Sequence, residues 1–538
     1  MKDFLNYKVG MIGNPIFPLD EWTDELLTDI KELGFNYLQL NIAWDNRPNG
    51  EALNLEHVQG ETLSKLKTRV QNAKKFGIKC LPHFGMPTVK TLLHEANITP
   101  YLTPSCISDE RVLEHNIKLA TDLLKNLPDI DDVMFYTYDQ HAWLCSEFGY
   151  CPKCNGIPLD KRLVPFIEKI KSEMAKVNKN VKFWWQPWEL SLGQICEVLQ
   201  QINTDNFGLM LNTGGNESYY NNLDNYWVKC IGRIAEERNI PIIAEIQATG
   251  SGVGSVPLQF FQCPTLVHRQ IGIMRQFPTL VGIKEHFGYV KDKQSVNTLF
   301  LKEFFKSADS DLDILLERTA QNYTDDKVKE LVKLWKDIEK AYDFIPFNFT
   351  YLYTNIAGYS PKHTYNVENP LSVQADTPAW ESDRKGFYIS LHNDRMHPWA
   401  IENAALLFKQ AGNRIKDIYL KLCSFKNVKR SEDFEQSQND IKTISKACLG
   451  QYYYLAEILC AYDVRSAMLS GNEQKINYEL SRFDELLKGD IENLDNDEEI
   501  VKKYKEFKDD YLLFFDCNFR QNEKYWTTPY IDKMDQRY

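Results

Sequence analysis

Short runs of apolar, β-branched and aromatic residues recur along the chain. Each is followed by a few polar residues and then by a stretch of helical periodicity. The runs are 8-KVGMIGN, 36-NYLQLNIAW, 78-IKCLPHFG, 133-VMFYTYDQ, 181-VKFWWQPWE, 207-FGLMLNTGG, 241-PIIAEIQATG and 281-VGIKEHFGY. Between them lie amphipathic segments such as 21-EWTDELLTDIKELG, 61-ETLSKLKTRVQNAKKFG, 111-RVLEHNIKLATDLLKNL and 162-RLVPFIEKIKSEMAKV. Their apolar residues fall at i, i+3, i+4 spacing, and several end in Gly as a helix C-cap does. Eight such alternations over about 290 residues predict an α/β chain, a (β/α)8 TIM barrel occupying residues 1–320. A doubly wound open sheet is the rival, disfavoured because no Gly-rich dinucleotide fingerprint follows the first strand.

Past this point the pattern changes. The segments 325-DDKVKELVKLWKDIEKAYDF, 399-WAIENAALLFKQAGNRIKDIYLKLC, 440-DIKTISKACLGQYYYLAEILCAYDVRSAML and 498-EEIVKKYKEFKDDYLLFF are long and helical. Residues 321–538 therefore read as a mainly α-helical C-terminal domain. An irregular, aromatic-rich stretch, 346–388, interrupts it and is a candidate for facing the site.

Composition narrows the function. The chain has 43% hydrophobic and 26% charged residues and a net charge of -12, with no long basic run. Phosphate-backbone binding needs clustered Lys and Arg, so nucleic acid is excluded as a partner. No apolar run approaches the ~20 residues of a membrane span, and no signal peptide is visible. Twelve cysteines without a secretory signal imply reduced thiols in the cytoplasm. The 28 Tyr, 29 Phe and 11 Trp suit a core and equally a carbohydrate site, where flat rings stack on sugar faces. The oligomeric state is left open, a homo-oligomer included.

In a (β/α)8 barrel the active site lies at the C-terminal strand ends. Those ends supply Asn41, Trp44 and Asp45 from strand 2, His83 from strand 3, and Asp139, Gln140 and His141 from strand 4. Strand 5 adds Trp185, Gln186, Trp188 and Glu189, and strand 6 adds Asn212 and Asn216. Strand 7 offers Glu245 and Gln247, and strand 8 Glu285 and His286. Glycoside hydrolysis needs two carboxyl groups, one to protonate the leaving oxygen and one to attack or to activate water. Amides and aromatics would then hold hydroxyls and ring faces. A rim carboxylate is as often a loop charge or helix N-cap. Glu245, inside the apolar run PIIAEI, instead needs a partner or a task. Trp185 and Trp188 suit either stacking or core packing. In 377-TPAWESDRKGF, Arg384 is either part of a surface ion-pair network or a grip on substrate.

The stretch 138-YDQHAWLCSEFGYCPKC-154 sets Cys145, Cys151 and Cys154 as C-x5-C-x2-C. A CxxC pair bites a tetrahedral metal well, and structural zinc takes four closed S or N ligands. Cys106 is the best-placed fourth ligand, with His141 and Cys80 as rivals. The alternative is three free thiols.

This arrangement resembles the family 42 glycoside hydrolases, the zinc-bearing β-galactosidases. In those barrels the fourth strand ends in an Asn-Glu pair followed by a cysteine-rich loop. Residues 138–154 plus Cys106 look like that arrangement, and Glu245 matches the strand-7 nucleophile of the wider retaining superfamily. Asp139-Gln140 stands where the family has Asn-Glu, so an amide holds the usual acid position. Asp139 is then the acid, or Glu189 or Glu285 serves. The helical C-terminal domain looks more like the appendages of α-glucuronidase-type and hexosaminidase-related barrels. The resemblance implies a glycoside hydrolase of a distinct family, exo-acting on imported oligosaccharides or glycosides. It implies Asp139 and Glu245 as the catalytic pair and a structural zinc. Two other readings remain open. One is a metal-dependent sugar isomerase with Glu189, Glu245 and Glu285 on a divalent ion; the other is a catalytically inactive carbohydrate-binding barrel.

Overall fold

A computed structural model describes residues 4–12, 22–42, 60–86, 106–137, 144, 147, 151–187, 190, 192–212, 226–246, 248, 262–285, 295–345 and 398–493. Its strands are β1 (Tyr7–Gly10), β2 (Tyr37–Asn41), β3 (Lys79–Met86), β4 (Asp132–Thr137), β5 (Lys182–Pro187), β6 (Phe207–Asn212), β7 (Ile242–Ile246) and β8 (Leu280–Glu285). Each pairs with the next, and β8 pairs in parallel with β1, closing the barrel. The intervening helices are α1 (Asp24–Glu32), α2 (Gly60–Lys75), α3 (Glu110–Asn126), α4 (Leu159–Val177), α5 (Leu192–Gln201), α6 (Tyr226–Glu237), α7 (Pro264–Met274) and α8 (Val296–Lys306). The (β/α)8 reading holds.

Local chemistry starts several of these helices. Thr23 Oγ1 accepts from Leu26 N at 3.2 Å ahead of α1, and Ser295 Oγ does the same for Thr298 N at 3.2 Å ahead of α8. Asp109 caps α3 by accepting from Arg111 N at 3.0 Å.

The barrel interior is filled in layers. Val9, Tyr37, Leu81, Met134, Trp184, Met210 and Ile243, from β1 to β7 in turn, form one apolar layer. Towards the N-terminal end, the buried Asp132 carboxylate accepts from Tyr7 Oη at 3.2 Å, Tyr37 Oη at 3.1 Å and Trp184 Nε1 at 2.8 Å. Burial, followed by the Asp132 charge, pushes both tyrosine hydroxyls well above their usual range, so both stay neutral donors. Asp132 is thus a satisfied strut in the barrel floor. Gly208 makes room for the Trp184 indole: a Cβ there would sit 2.3 Å from the ring. Gly208→Ala should therefore destabilise the barrel by about 1–3 kcal/mol. The check is a fall in the urea midpoint at constant slope; an unchanged midpoint would show that the indole can move aside.

The described residues divide into two compact units between Thr319 and Ala320, Gln262 and Cys263 going with the second. Beyond the barrel come α9 (Leu312–Ala320), α10 (Val328–Tyr342), α11 (Pro398–Leu422), α12 (Ser431–Ser470) and α13 (Glu473–Asn493). α12 starts nearer the N-terminus than the periodic pattern from Asp440 implies. Its polar first turns carry Glu432 and Asp433, which suit the helix dipole, and are anchored by one aromatic, Phe434. That ring lies 5.5 Å from Tyr323 and 5.8 Å from Phe425. α11 and α12 meet closely at Gly412, where a Cβ would fall 2.6 Å from Leu449. The irregular stretch 346–388 and the helix read at 498–515 lie outside the described residues. Among those residues no helix is long and apolar enough to cross a membrane.

Candidate active site

Strand alternation builds the site directly on the apolar layer. Two residues along from Tyr37, Leu81, Met134, Trp184 and Ile243 stand Gln39, His83, Tyr136, Gln186 and Glu245. A period of two keeps each on the inner face, one step nearer the C-terminal end. Asn41 follows Gln39 by the same step, and Lys284 follows Gly282 on β8. A packed hydrocarbon floor therefore gives way abruptly to amides, an imidazole, a phenol and one opposed pair of charges.

The charges are Glu245 and Lys284, each 2% exposed. Lys284 Nζ donates to Glu245 Oε2 at 2.6 Å and to the Glu285 carbonyl at 3.1 Å. Gln186 Nε2 donates to the same Glu245 oxygen at 2.8 Å. An unpaired carboxylate at this depth would be severely penalised, and the ammonium with two directed N–H bonds offsets that cost. The amide of Gln186 has one workable orientation, since reversing it would set two acceptor oxygens against each other. Its Oε1 thus points elsewhere, and it has no hydrogen-bond partner among the described residues.

Across the barrel, Gln39 Nε2 hydrogen-bonds Asn41 Oδ1 and lies 3.0 Å from His83 Nδ1, while the His83 ring meets Tyr136 edge-on at 5.3 Å. Gln39 Oε1 and Asn41 Nδ2 are also buried without a partner among the described residues. Buried amide atoms seldom go unpaired. Here three such atoms stand on inner faces near the C-terminal strand ends, those of Gln39 and Gln186 in one layer and that of Asn41 one step beyond.

Of the residues expected from the sequence, Glu245 and His83 share this layer, and Asn41 stands one step beyond it on β2. Asn212 is in register with Glu245 on the adjoining strand. Trp185 is a correction. It has the parity of Phe183, which stacks on Phe135 at 4.1 Å on the helix-facing side of the sheet. It is wholly buried, and its Nε1 donates to Thr137 Oγ1 at 3.0 Å, so it packs the wall and is not placed to stack on a sugar. Glu285 is a second correction. Both its oxygens lie 3.1 Å from Ala248 N, and Asn297 Nδ2 holds the Ala248 carbonyl at 2.9 Å, so it ties down the chain after β7. Trp44, Asp139, Gln140, Trp188, Glu189, Arg384 and Cys145 lie outside the described residues. Gln39, Tyr136 and Lys284 belong to the site but were not singled out from the sequence. Lys284 carried the same signal as Glu245, a charge inside an apolar strand run.

The cysteine cluster forms a separate centre. Cys106 Sγ lies 3.5 Å from Cys154 Sγ and 3.6 Å from Cys151 Sγ. A tetrahedral zinc with bonds of about 2.3 Å spaces its sulfurs by about 3.8 Å, so the three thiols fit that metal. The chain turns tightly here: Cys154 N and Asn155 N both donate to Cys151 O, at 3.1 and 2.8 Å, and Gly156 takes φ +71°. Although burial raises the Cys151 thiol, N–H groups of Lys153 and Cys154 and the neighbouring thiols lower it overall. Lys153 Nζ reaches Asp109 at 3.0 Å, tying the turn to the start of α3. The rival ligand Cys80 is buried on β3 outside the group, and His141 lies outside the described residues.

No protein-family model matches the chain, and no curated protein matches it. Solved structures do. An O-GlcNAc hydrolase variant from Thermobaculum terrenum is 11% identical over 91% of both chains, with a TM-score of 0.43. CpGH84B is 9% identical over 90% of this chain and 74% of its own, with a TM-score of 0.41. A GH138 enzyme targeting pectin rhamnogalacturonan II is 10% identical with a TM-score of 0.52. That match covers 92% of this chain, which spans 63% of the enzyme's length. At such identity the likeness to the GH138 enzyme is one of fold alone.

Proposed function

We propose that the protein is a glycoside hydrolase, exo-acting on oligosaccharides or glycosides, with Glu245 as one of two catalytic carboxylates. The observation that carries this reading is the buried carboxylate at the end of β7, held by Lys284 and Gln186, on an inner face where amide atoms of Gln186, Gln39 and Asn41 have no partner among the described residues. An ionised, oriented carboxylate is what a nucleophile or a water-activating base requires. Amides that accept and donate suit sugar hydroxyls, and the fold shared with a GH138 enzyme supports the same substrate class. The second carboxyl group is assigned to Asp139. Gln140, Asn41, His83 and Asn212 are assigned to hydroxyls. A divalent-ion isomerase is disfavoured, because Lys284 already sits 2.6 Å from Glu245 and Glu285 is spent on Ala248. The test is a panel of α- and β-aryl hexosides, N-acetylhexosaminides and uronides. At least one should release its aryl alcohol, with turnover surviving EDTA. Sugar binding without turnover of any member would favour the inactive-barrel reading.

A structural zinc held by Cys106, Cys145, Cys151 and Cys154 belongs to the same proposal. Four thiolates leave no position for water, so the metal's contribution is to hold two rim loops together. Elemental analysis of protein purified without chelator should give one zinc per chain. Cys151→Ser should lower the melting temperature clearly while changing kcat less than about tenfold. Metal-free wild-type protein of unchanged stability would overturn the assignment. A cytoplasmic setting, where thiols stay reduced, belongs to the same proposal.

A further inference from the structure

We propose that Lys284 is a positioning residue: with Gln186 it clamps one oxygen of Glu245 and holds that side chain as a directed carboxylate. The clamp itself follows from geometry; its catalytic consequence rests on the glycosidase reading of Glu245.

Three features separate this from an incidental ion pair. Lys284 and Glu245 stand in register on adjacent strands, so the barrel itself sets their spacing. Both side chains are almost wholly excluded from solvent, at 2% and 1% exposure, where attraction is little screened. Both clamp bonds, from Lys284 Nζ and Gln186 Nε2, converge on Oε2, which fixes the plane of the carboxylate as well as its charge. Among the described residues, the other inner-face groups of the site do not replace the cation: Tyr136 on β4 is a phenol, and His83 across the barrel on β3 is engaged by Gln39. The Glu285 carboxylate on β8 is turned to Ala248.

The clamp is tested without any substrate, by carbon-13 NMR of protein labelled at glutamate side-chain carboxyls. The Glu245 signal is identified by its loss in Glu245→Gln. In Lys284→Met its protonation midpoint should rise by about 1–3 pH units, because an opposite charge is removed and burial remains. Lys284→Arg should return the midpoint towards that of the wild type. An unchanged midpoint in a folded Lys284→Met protein overturns the proposal. Should Lys284→Met fail to fold, Lys284→Met/Glu245→Met removes both charges and should recover the fold. A double variant as unstable as the single one also overturns the pairing. A wild-type protein that hydrolyses no glycoside, yet shows the shift in Lys284→Met, refutes the glycosidase reading and leaves the clamp standing.

Discussion

Glu245→Gln should lower kcat on any cleaved glycoside by at least about a thousandfold, roughly 4 kcal/mol of transition-state stabilisation. The amide has nearly the carboxylate's shape but cannot attack an anomeric carbon or take a proton from water. The sequence alone suggests that this change would hardly affect stability. The ion pair predicts otherwise: Gln at 245 leaves the Lys284 ammonium buried and uncompensated, a loss of about 3–5 kcal/mol. Turnover and folding would then fall together, and a measurement of activity alone could not separate them. The double variant Glu245→Gln/Lys284→Met does separate them. With both charges removed the barrel should regain most of its stability, while turnover stays at the level of the single variant. Recovery of turnover along with stability would show that Glu245 is a structural partner of Lys284 and not a catalytic group.

Strand alternation explains both what was legible in the sequence and what was not. The barrel was legible because each apolar run is short, bounded by turn residues and followed by a helical repeat. Glu245 stood out because PIIAEI leaves a carboxylate nowhere to hide. Adjacent residues of similar type are harder. Trp184 and Trp185 are indistinguishable by composition, yet one fills the barrel interior and the other packs under the helices. Lys284 and Glu285 divide in the same way: the lysine faces Glu245 while the glutamate holds Ala248. A shift of one residue reverses such assignments. Running strand parity outward from the apolar layer would have chosen Gln39, Gln186 and Lys284 over Trp185 and Glu285. The cysteine centre was legible for a different reason. Spacing alone brings Cys151 and Cys154 together, whereas Cys106 joins them because the chain segments after β3 and β4 are neighbours in the barrel.

Asp139→Asn should cut kcat on a glycoside with a poor leaving group by about 100- to 10,000-fold, the usual contribution of a positioned general acid. Departure of an alkoxide needs a proton delivered as the bond breaks, and an amide has none to give. To hold that proton near neutral pH, Asp139 must titrate well above an ordinary aspartate, at about 3.9. Its sequence neighbours Tyr138 and Trp143 offer the apolar surface that would disfavour its charge. The loss should depend on the leaving group. A dinitrophenyl glycoside departs as a stable phenolate without a proton, so the variant should keep most of the wild-type rate on it. A methyl or sugar aglycone should show the full defect. The alkaline limb of the wild-type pH–rate profile should also disappear, because that limb records deprotonation of the acid. Near-wild-type turnover by Asp139→Asn on the poor leaving group would remove Asp139 from the mechanism. Glu285 could not easily take its place, with both oxygens at the Ala248 amide. Glu189 would then be the acid to substitute, and the same dependence on leaving group would identify it.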